Sequence, residues 1–162
     1  MTETSLHIIT SVQNDVHRRN GEYMYILEAA YNGTIHTKEG SGFEVQTTRN
    51  RLALLALDDA LASLKDGVAL KIYTDAPGIR YPIEEGWIYR WASDCFRRCQ
   101  FKDGKKYFLH LENADLWQRI YFRMDGHEIS WADEPSSYTN YMQRELRDRK
   151  KRIQIEHYKQ HT

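Results

Sequence analysis

The dipeptide Asn32-Gly33 constrains this chain more than any other feature. Both central residues of a type I′ hairpin turn need positive φ, and few residue pairs accept that. Glu22 to Ala30, before the dipeptide, is dense in Tyr, Ile and Leu; Thr34 to Glu39 follows it, so the two runs are expected to pair as antiparallel strands. The apolar run Leu6 to Thr10 adds a strand ahead of them. Beyond the glycine-containing stretch Gly40 to Gly42, leucines 54, 57, 61 and 64 recur at helical spacing, with Lys65-Asp66-Gly67 as the stop. Val68 to Thr74 reads as a strand, and its return through a helix makes it a parallel partner. Trp87 and Trp91, four apart in Glu84 to Trp91, share one helical face and are expected to pack in the core. Asn113 is placed to cap a helix reaching Met124, with Leu116, Ile120 and Met124 inward; Glu128 to Trp131 supplies a fifth strand, and a last helix begins near Thr139.

The 162 residues suit a single domain, with 23 basic and 23 acidic side chains. That balance excludes a protein that grips nucleic acid by uniform positive charge, so any such contact must come from a local patch. Two patches stand out. Arg97, Arg98, Lys102, Lys105 and Lys106 form a basic excursion, expected as a solvated face. Residues 144 to 162 hold seven basic and three acidic side chains, expected as the solvated continuation of the last helix, with a nucleic-acid-binding or protein-docking tail as the alternative. No apolar run reaches membrane-spanning length, and Met1 to Ser5 lacks the blocks of a secretion signal, so a cytoplasmic protein without a membrane partner is expected. Cys95 and Cys99 lack a second pair at zinc spacing and read as reduced packing thiols; the seven histidines are scattered without ligand spacing.

The order β-β-β-α-β-α-α-β-α, with Tyr73-Thr74-Asp75 ending the fourth strand, resembles the type 1 ribonuclease H family. Thr47-Thr48-Arg49-Asn50-Arg51-Leu52, Gly86-Trp87-Ile88-Tyr89-Arg90-Trp91 and Asn113-Ala114-Asp115-Leu116-Trp117-Gln118-Arg119 sharpen the likeness. The resemblance implies an α/β (α+β) fold: a five-stranded mixed sheet, its first three strands antiparallel, with helices on both faces. It places a ribonuclease H-like domain over 1–146 and a basic C-terminal helical extension or tail over 147–162. Members of that family cut the RNA strand of an RNA/DNA hybrid with two Mg²⁺ ions held by four carboxylates, a concentration of negative charge that two hard cations require. On the family pattern, Ser11, Ala53 and Arg144 occupy three of those four positions, and Asp75 alone keeps its carboxylate. No metal site and no cofactor are therefore expected, with Mg²⁺ entering only through a residual site. The cation opposite the retained acid suggests that Arg144 pairs with Asp75; in the alternative, Asp75 caps its strand end and Arg144 is solvated.

The reading this favours is a catalytically degenerate relative that binds nucleic acid, an RNA/DNA hybrid or another duplex, without cleaving it. Thr47, Thr48, Arg49 and Asn50 match the family's backbone-contacting segment, although Asn50 and Arg51 could equally cap and seat the helix. Trp87 and Trp91 with Arg97, Arg98, Lys102, Lys105 and Lys106 match its hybrid-binding surface. Against RNA-specific contact, the family's glycine-rich turn has become Val12 to Gly21. Two alternatives remain: a protein-protein interaction or structural module on the same scaffold, and a weakly active Mg²⁺-dependent nuclease with ligands relocated among Asp15, Asp58, Asp59 and Glu145.

Overall fold

Three long strands open the chain, β1 (Thr2–Val12), β2 (Gly21–Tyr31) and β3 (Thr34–Glu44), each antiparallel to the next. The computed structural model describes residues 1–13 and 19–161, with side chains through Arg152. Asn32 and Gly33 turn the second strand into the third at φ 51° and 75°, the geometry their identities demand. β3 continues past the expected end at Glu39. Gly40 pairs with Tyr25 and Gly42 with Tyr23, and a Cβ at Gly40 would lie 2.2 Å from the Tyr25 ring. These glycines are thus the flat seats of two tyrosine rings inside a strand rather than turn residues.

Helix α1 (Arg49–Ala62) begins where the Thr48 hydroxyl accepts the Arg51 N–H at 3.2 Å. It ends ahead of the Lys65-Asp66-Gly67 stop, with the Ser63 hydroxyl donating to the Ala60 carbonyl at 2.7 Å. β4 (Val68–Thr74) then lies parallel to β1, and β7 (Glu128–Trp131) parallel to β4, giving the order β3-β2-β1-β4-β7. Helices α1 and α4 (Ala114–Arg123) cover one face, burying Leu6, Ile72, Leu57, Leu116 and Ile120 together. On the other face α5 (Thr139–His161) lays Met142 and Leu146 against Ile9, Met24 and Ile26. It runs unbroken across the expected boundary at 146/147.

Two local expectations are corrected, and the basic excursion, solvated as expected, takes the form of a hairpin. The helix read over Glu84 to Trp91 is two, α2 (Arg80–Glu84) and α3 (Trp87–Ser93), after a 3₁₀ turn at Pro77–Ile79; Gly86, at φ 77°, breaks them. The basic excursion is a hairpin with its own two-stranded sheet, β5 (Arg98–Lys102) and β6 (Lys105–Leu109), joined by Asp103-Gly104 at φ 53° and 74°. Asn113 holds the position before α4, but at φ 60° its side chain makes no cap; its Oδ1 accepts from Arg51 Nη1 at 3.3 Å instead. Among the described residues no helix is long and apolar enough to cross a membrane.

Candidate functional site

β1 and β4 are neighbours in the sheet, so Ser11, near the end of β1, and Asp75, just past the end of β4, fall on the same sheet edge. The Asp75 carboxylate accepts from the backbone N–H and the hydroxyl of Thr10, both at 3.1 Å. Burial pushes its pKa above the ordinary carboxylate value in spite of those bonds and of Arg49, whose Nη1 lies 3.7 Å from Oδ2. Arg49, not Arg144, is the guanidinium that reaches it. Arg144 is exposed, two residues from each of the inward-facing Met142 and Leu146 and so about 200° around the helix from them. Ala53 is wholly buried in the α1 core face, and Ser11 is half-buried.

The other acids of α1 are already engaged at positions further along the helix. Asp58 accepts from Arg119 and Arg123 at 3.1 and 2.9 Å, and Asp59 accepts from the Tyr25 hydroxyl at 2.7 Å. Asp15 lies outside the described residues. One acid escaped the sequence reading. Glu22 is the cross-strand partner of Ser11 and shares its face of the sheet. It lines a cavity of about 180 Å³ with Ser11, Gln13, Asn20 and Lys150. Burial pushes its carboxyl up, opposed by the charges of Arg149 and Lys150. Only strand register joins Glu22 to Ser11, so no local spacing signals it. Among the described residues no group of three or more His, Cys, Asp or Glu side chains is disposed to hold a metal ion, and the donor set does not fit a two-ion carboxylate centre.

The segment leading into α1 divides by exposure. Thr47 is buried and Thr48 is the helix cap, so this pair seats the helix, while Arg49 and Asn50 are exposed. Asn50 lines a groove of about 630 Å³ together with Gly78, Trp91, Arg98 and Trp117. Gly78 admits the Asn50 amide, because a Cβ there would stand 2.5 Å from Nδ2. Trp91 packs on Trp117 with ring centroids 5.4 Å apart, whereas Trp87 is 40% exposed.

Past the groove, register sorts the hairpin side chains into two faces. Arg98, Gln100, Lys102, Lys105, Tyr107 and Leu109 share one; Cys99, Phe101, Lys106 and Phe108 share the other. Arg97 stacks over the Phe108 ring at 3.7 Å. Lys106 donates to Asp94 at 2.9 Å, a bond that raises its pKa. Arg98 donates to the His110 carbonyl at 3.2 Å, and Phe101 is 74% exposed. The groove from Asn50 thus continues onto the hairpin face that carries Arg98, Lys102, Lys105 and Tyr107, while Phe101 and Phe108 lie on the other face.

No protein-family model matches the chain. Curated relatives do. The ribonuclease H of Chlorobium phaeobacteroides is 33% identical over 95 residues, covering 59% of this chain and 60% of that protein. The ribonuclease H of Bradyrhizobium sp. is 36% identical over 94 residues, covering 58% and 56%. The matched region thus spans less than two thirds of the length of these relatives. Among solved structures the chain is similar to LC9-RNase H1, described as a type 1 RNase H with the type 2 active-site motif, at a TM-score of 0.67 and 20% identity over 88% of this chain and 69% of that one. It is also similar to the RNase H domain of PFV, at a TM-score of 0.63 and 13% identity over 91% of both chains. A foamy viral protease-reverse transcriptase, solved in complex with RNA/DNA hybrid, matches at a TM-score of 0.63 and 14% identity, over 88% of this chain and 19% of that one.

Proposed function

We propose that this chain, a ribonuclease H-like protein in fold and in sequence, binds nucleic acid of the RNA/DNA hybrid or duplex class and does not cleave it. The observation that carries the binding half is the groove shared by Asn50, Trp91 and Arg98, which continues onto the face of the hairpin that presents Lys102 and Lys105. A strand lying there meets an amide donor, an aromatic wall and then three cations, the order of groups that positions a phosphate backbone without reading its sequence. Relatives that carry the ribonuclease H name, and a structural neighbour solved with an RNA/DNA hybrid, support this class of ligand. The non-cleaving half rests on the donor set: Ser11, Ala53 and Arg144 at the carboxylate positions, and an Asp75 carboxylate committed to Thr10 and Arg49. Two divalent ions need more negative charge than this.

The test is a fluorescence-anisotropy titration of a labelled RNA/DNA hybrid over a salt series, with the same complex incubated in Mg²⁺ and in Mn²⁺ and resolved on a denaturing gel. Affinity is expected to fall steeply with salt, and Lys102→Ala with Lys105→Ala should flatten the log–log slope by about 0.9 per lost phosphate contact. The labelled RNA should stay intact. Cleavage by the unaltered protein, or binding indifferent to salt and to both lysines, overturns the reading. An interaction module is the second reading, favoured by one observation: Tyr89 and Phe122 are 57% and 65% exposed around the Tyr121 ring, an aromatic patch away from the groove. Binding through such a patch has a shallow salt dependence, so the same titration separates the two.

A further inference from the structure

Where the resemblance asks for four carboxylates the chain has Ser11, Ala53, Arg144 and the retained Asp75, and a run of cations follows Arg144 along α5. Residues 147–152 of α5 carry five basic side chains to the single acid Asp148. The inward phase set by Met142 and Leu146 brings Arg149 and Lys150 back over the sheet one to two turns later. Lys150 lines the cavity of about 180 Å³ whose floor holds Ser11 and its cross-strand partner Glu22, with Gln13 and Asn20 beside them. The Asn20 carbonyl oxygen is already taken by the Gln46 N–H at 3.3 Å, which leaves its amide N–H groups as donors. Ser11 offers a hydroxyl, Gln13 an amide and Lys150 an ammonium group. Among the described residues the cavity is lined by one cation, Lys150, and one half-buried acid, Glu22, whose charge Arg149 and Lys150 both oppose. Hydroxyl, amide and ammonium donors lining one concave space suit a tetrahedral oxyanion rather than a metal ion.

We propose that this cavity captures a phosphodiester of a bound nucleic-acid strand on Lys150, whose ammonium group neutralises the phosphate without a metal ion. This inference rests on the nucleic-acid reading above and deepens it: the strand gripped at the Asn50 groove is held a second time at the end of β1, and neither contact requires a divalent cation. The stretch of α5 that carries Arg149 and Lys150 is then part of the binding surface.

The experiment titrates the full chain with a labelled RNA/DNA hybrid in EDTA and again in Mg²⁺, and repeats both for Lys150→Ala, Lys150→Glu and Ser11→Asp, each variant checked by thermal melting. The wild-type affinity is expected to be the same in EDTA and Mg²⁺. Lys150→Ala should bind about fivefold more weakly, with a log–log salt slope smaller by about one, and Lys150→Glu more weakly still. Ser11→Asp, which leaves α5 untouched and so guards against a folding defect in the lysine variants, should weaken binding in EDTA by a similar factor. Inorganic phosphate should compete with wild type and not with Lys150→Glu. Wild-type binding that needs Mg²⁺, or a Ser11→Asp variant that binds more tightly once Mg²⁺ is added, overturns the proposal by showing a metal site. If the wild type binds and the Lys150 variants bind equally well, this inference falls while the groove reading stands; if the wild type does not bind the hybrid at all, the groove reading falls and takes this one with it.

Discussion

Asp75 is the retained acid of the site, and its surroundings oppose its charge. Burial raises its folded pKa above 3.8, although Thr10 and Arg49 pull the other way. The folded chain therefore binds this proton at a pH where the unfolded chain has released it, so the charged carboxylate weighs against folding at neutral pH. That cost is relieved as pH falls through the raised value towards 3.8. Asp75→Asn keeps an oxygen for the Thr10 donors and loses only the long, part-exposed contact to Arg49, which is worth little. Its stability at pH 7, read from urea denaturation, should match or exceed wild type within about 1 kcal/mol, and should lack the wild-type gain on acidification. A loss of several kcal/mol would mean that the charge itself holds the strand ends together.

Among the elements, β3 shows how a sheet edge is shaped by its neighbour. Tyr25 lies flat over Gly40 while its hydroxyl donates to Asp59 on α1 at 2.7 Å, tying β2, β3 and the helix in one contact. Burial, joined by that bond, pushes the Tyr25 hydroxyl pKa far up. Gly40→Ala places a Cβ 2.2 Å from a ring that has no free direction to move, so about 1–3 kcal/mol of stability should be lost, measured by urea midpoint. The same change in Tyr25→Leu, where the ring and its hydrogen bond are gone, should cost much less; equal losses in both backgrounds would locate the strain in the strand rather than in the ring. The β5–β6 hairpin is the opposite case. Phe101, Tyr107 and Phe108 remain open to solvent on a two-stranded sheet separate from the five-stranded one, so they add little to the buried core.

For the whole molecule, a formal net charge of zero means that any grip on a polyanion comes from where the cations lie rather than how many there are. The pH response of the fold has a second source besides Asp75. His7 is buried in the middle of β1, stacked on Tyr73 at 4.5 Å, with Nε2 2.9 Å from the Ser5 hydroxyl and Nδ1 bonded to Ser136 ahead of α5. Burial lowers its pKa from 6.5, with Glu28 opposing. The unfolded chain then binds the proton first, so this contribution is complete above 6.5 and is lost as pH falls through the lowered folded value. Stability read from urea denaturation should drop as pH falls below about 6.5, with a slope of at most about 1.4 kcal/mol per pH unit, and His7→Gln should flatten it. A wild-type slope that survives the substitution would assign the effect to another group.

By itself the sequence determined the elements whose cause is local. Asn32-Gly33 sets its own backbone angles, Val68 to Thr74 and Glu128 to Trp131 are strands of the expected bounds, and the last helix starts at Thr139, because turn chemistry and apolar periodicity act within a few residues. Asp103-Gly104 carries the same signal as Asn32-Gly33, so the second hairpin is legible as well, with its lysines and arginines on the solvated face expected of them. Tertiary structure alone decided who meets whom. Glu22 joins Ser11 through strand register across a stretch of unrelated sequence, Arg49 rather than Arg144 reaches Asp75, and Lys150 arrives over the end of β1 through the phase of a long helix. The physical reason is geometric: one residue of register moves a strand side chain to the other face of the sheet, and one residue of helix turns it by about 100°, so partners are set by the relative placement of whole elements and not by the residue type at any single position.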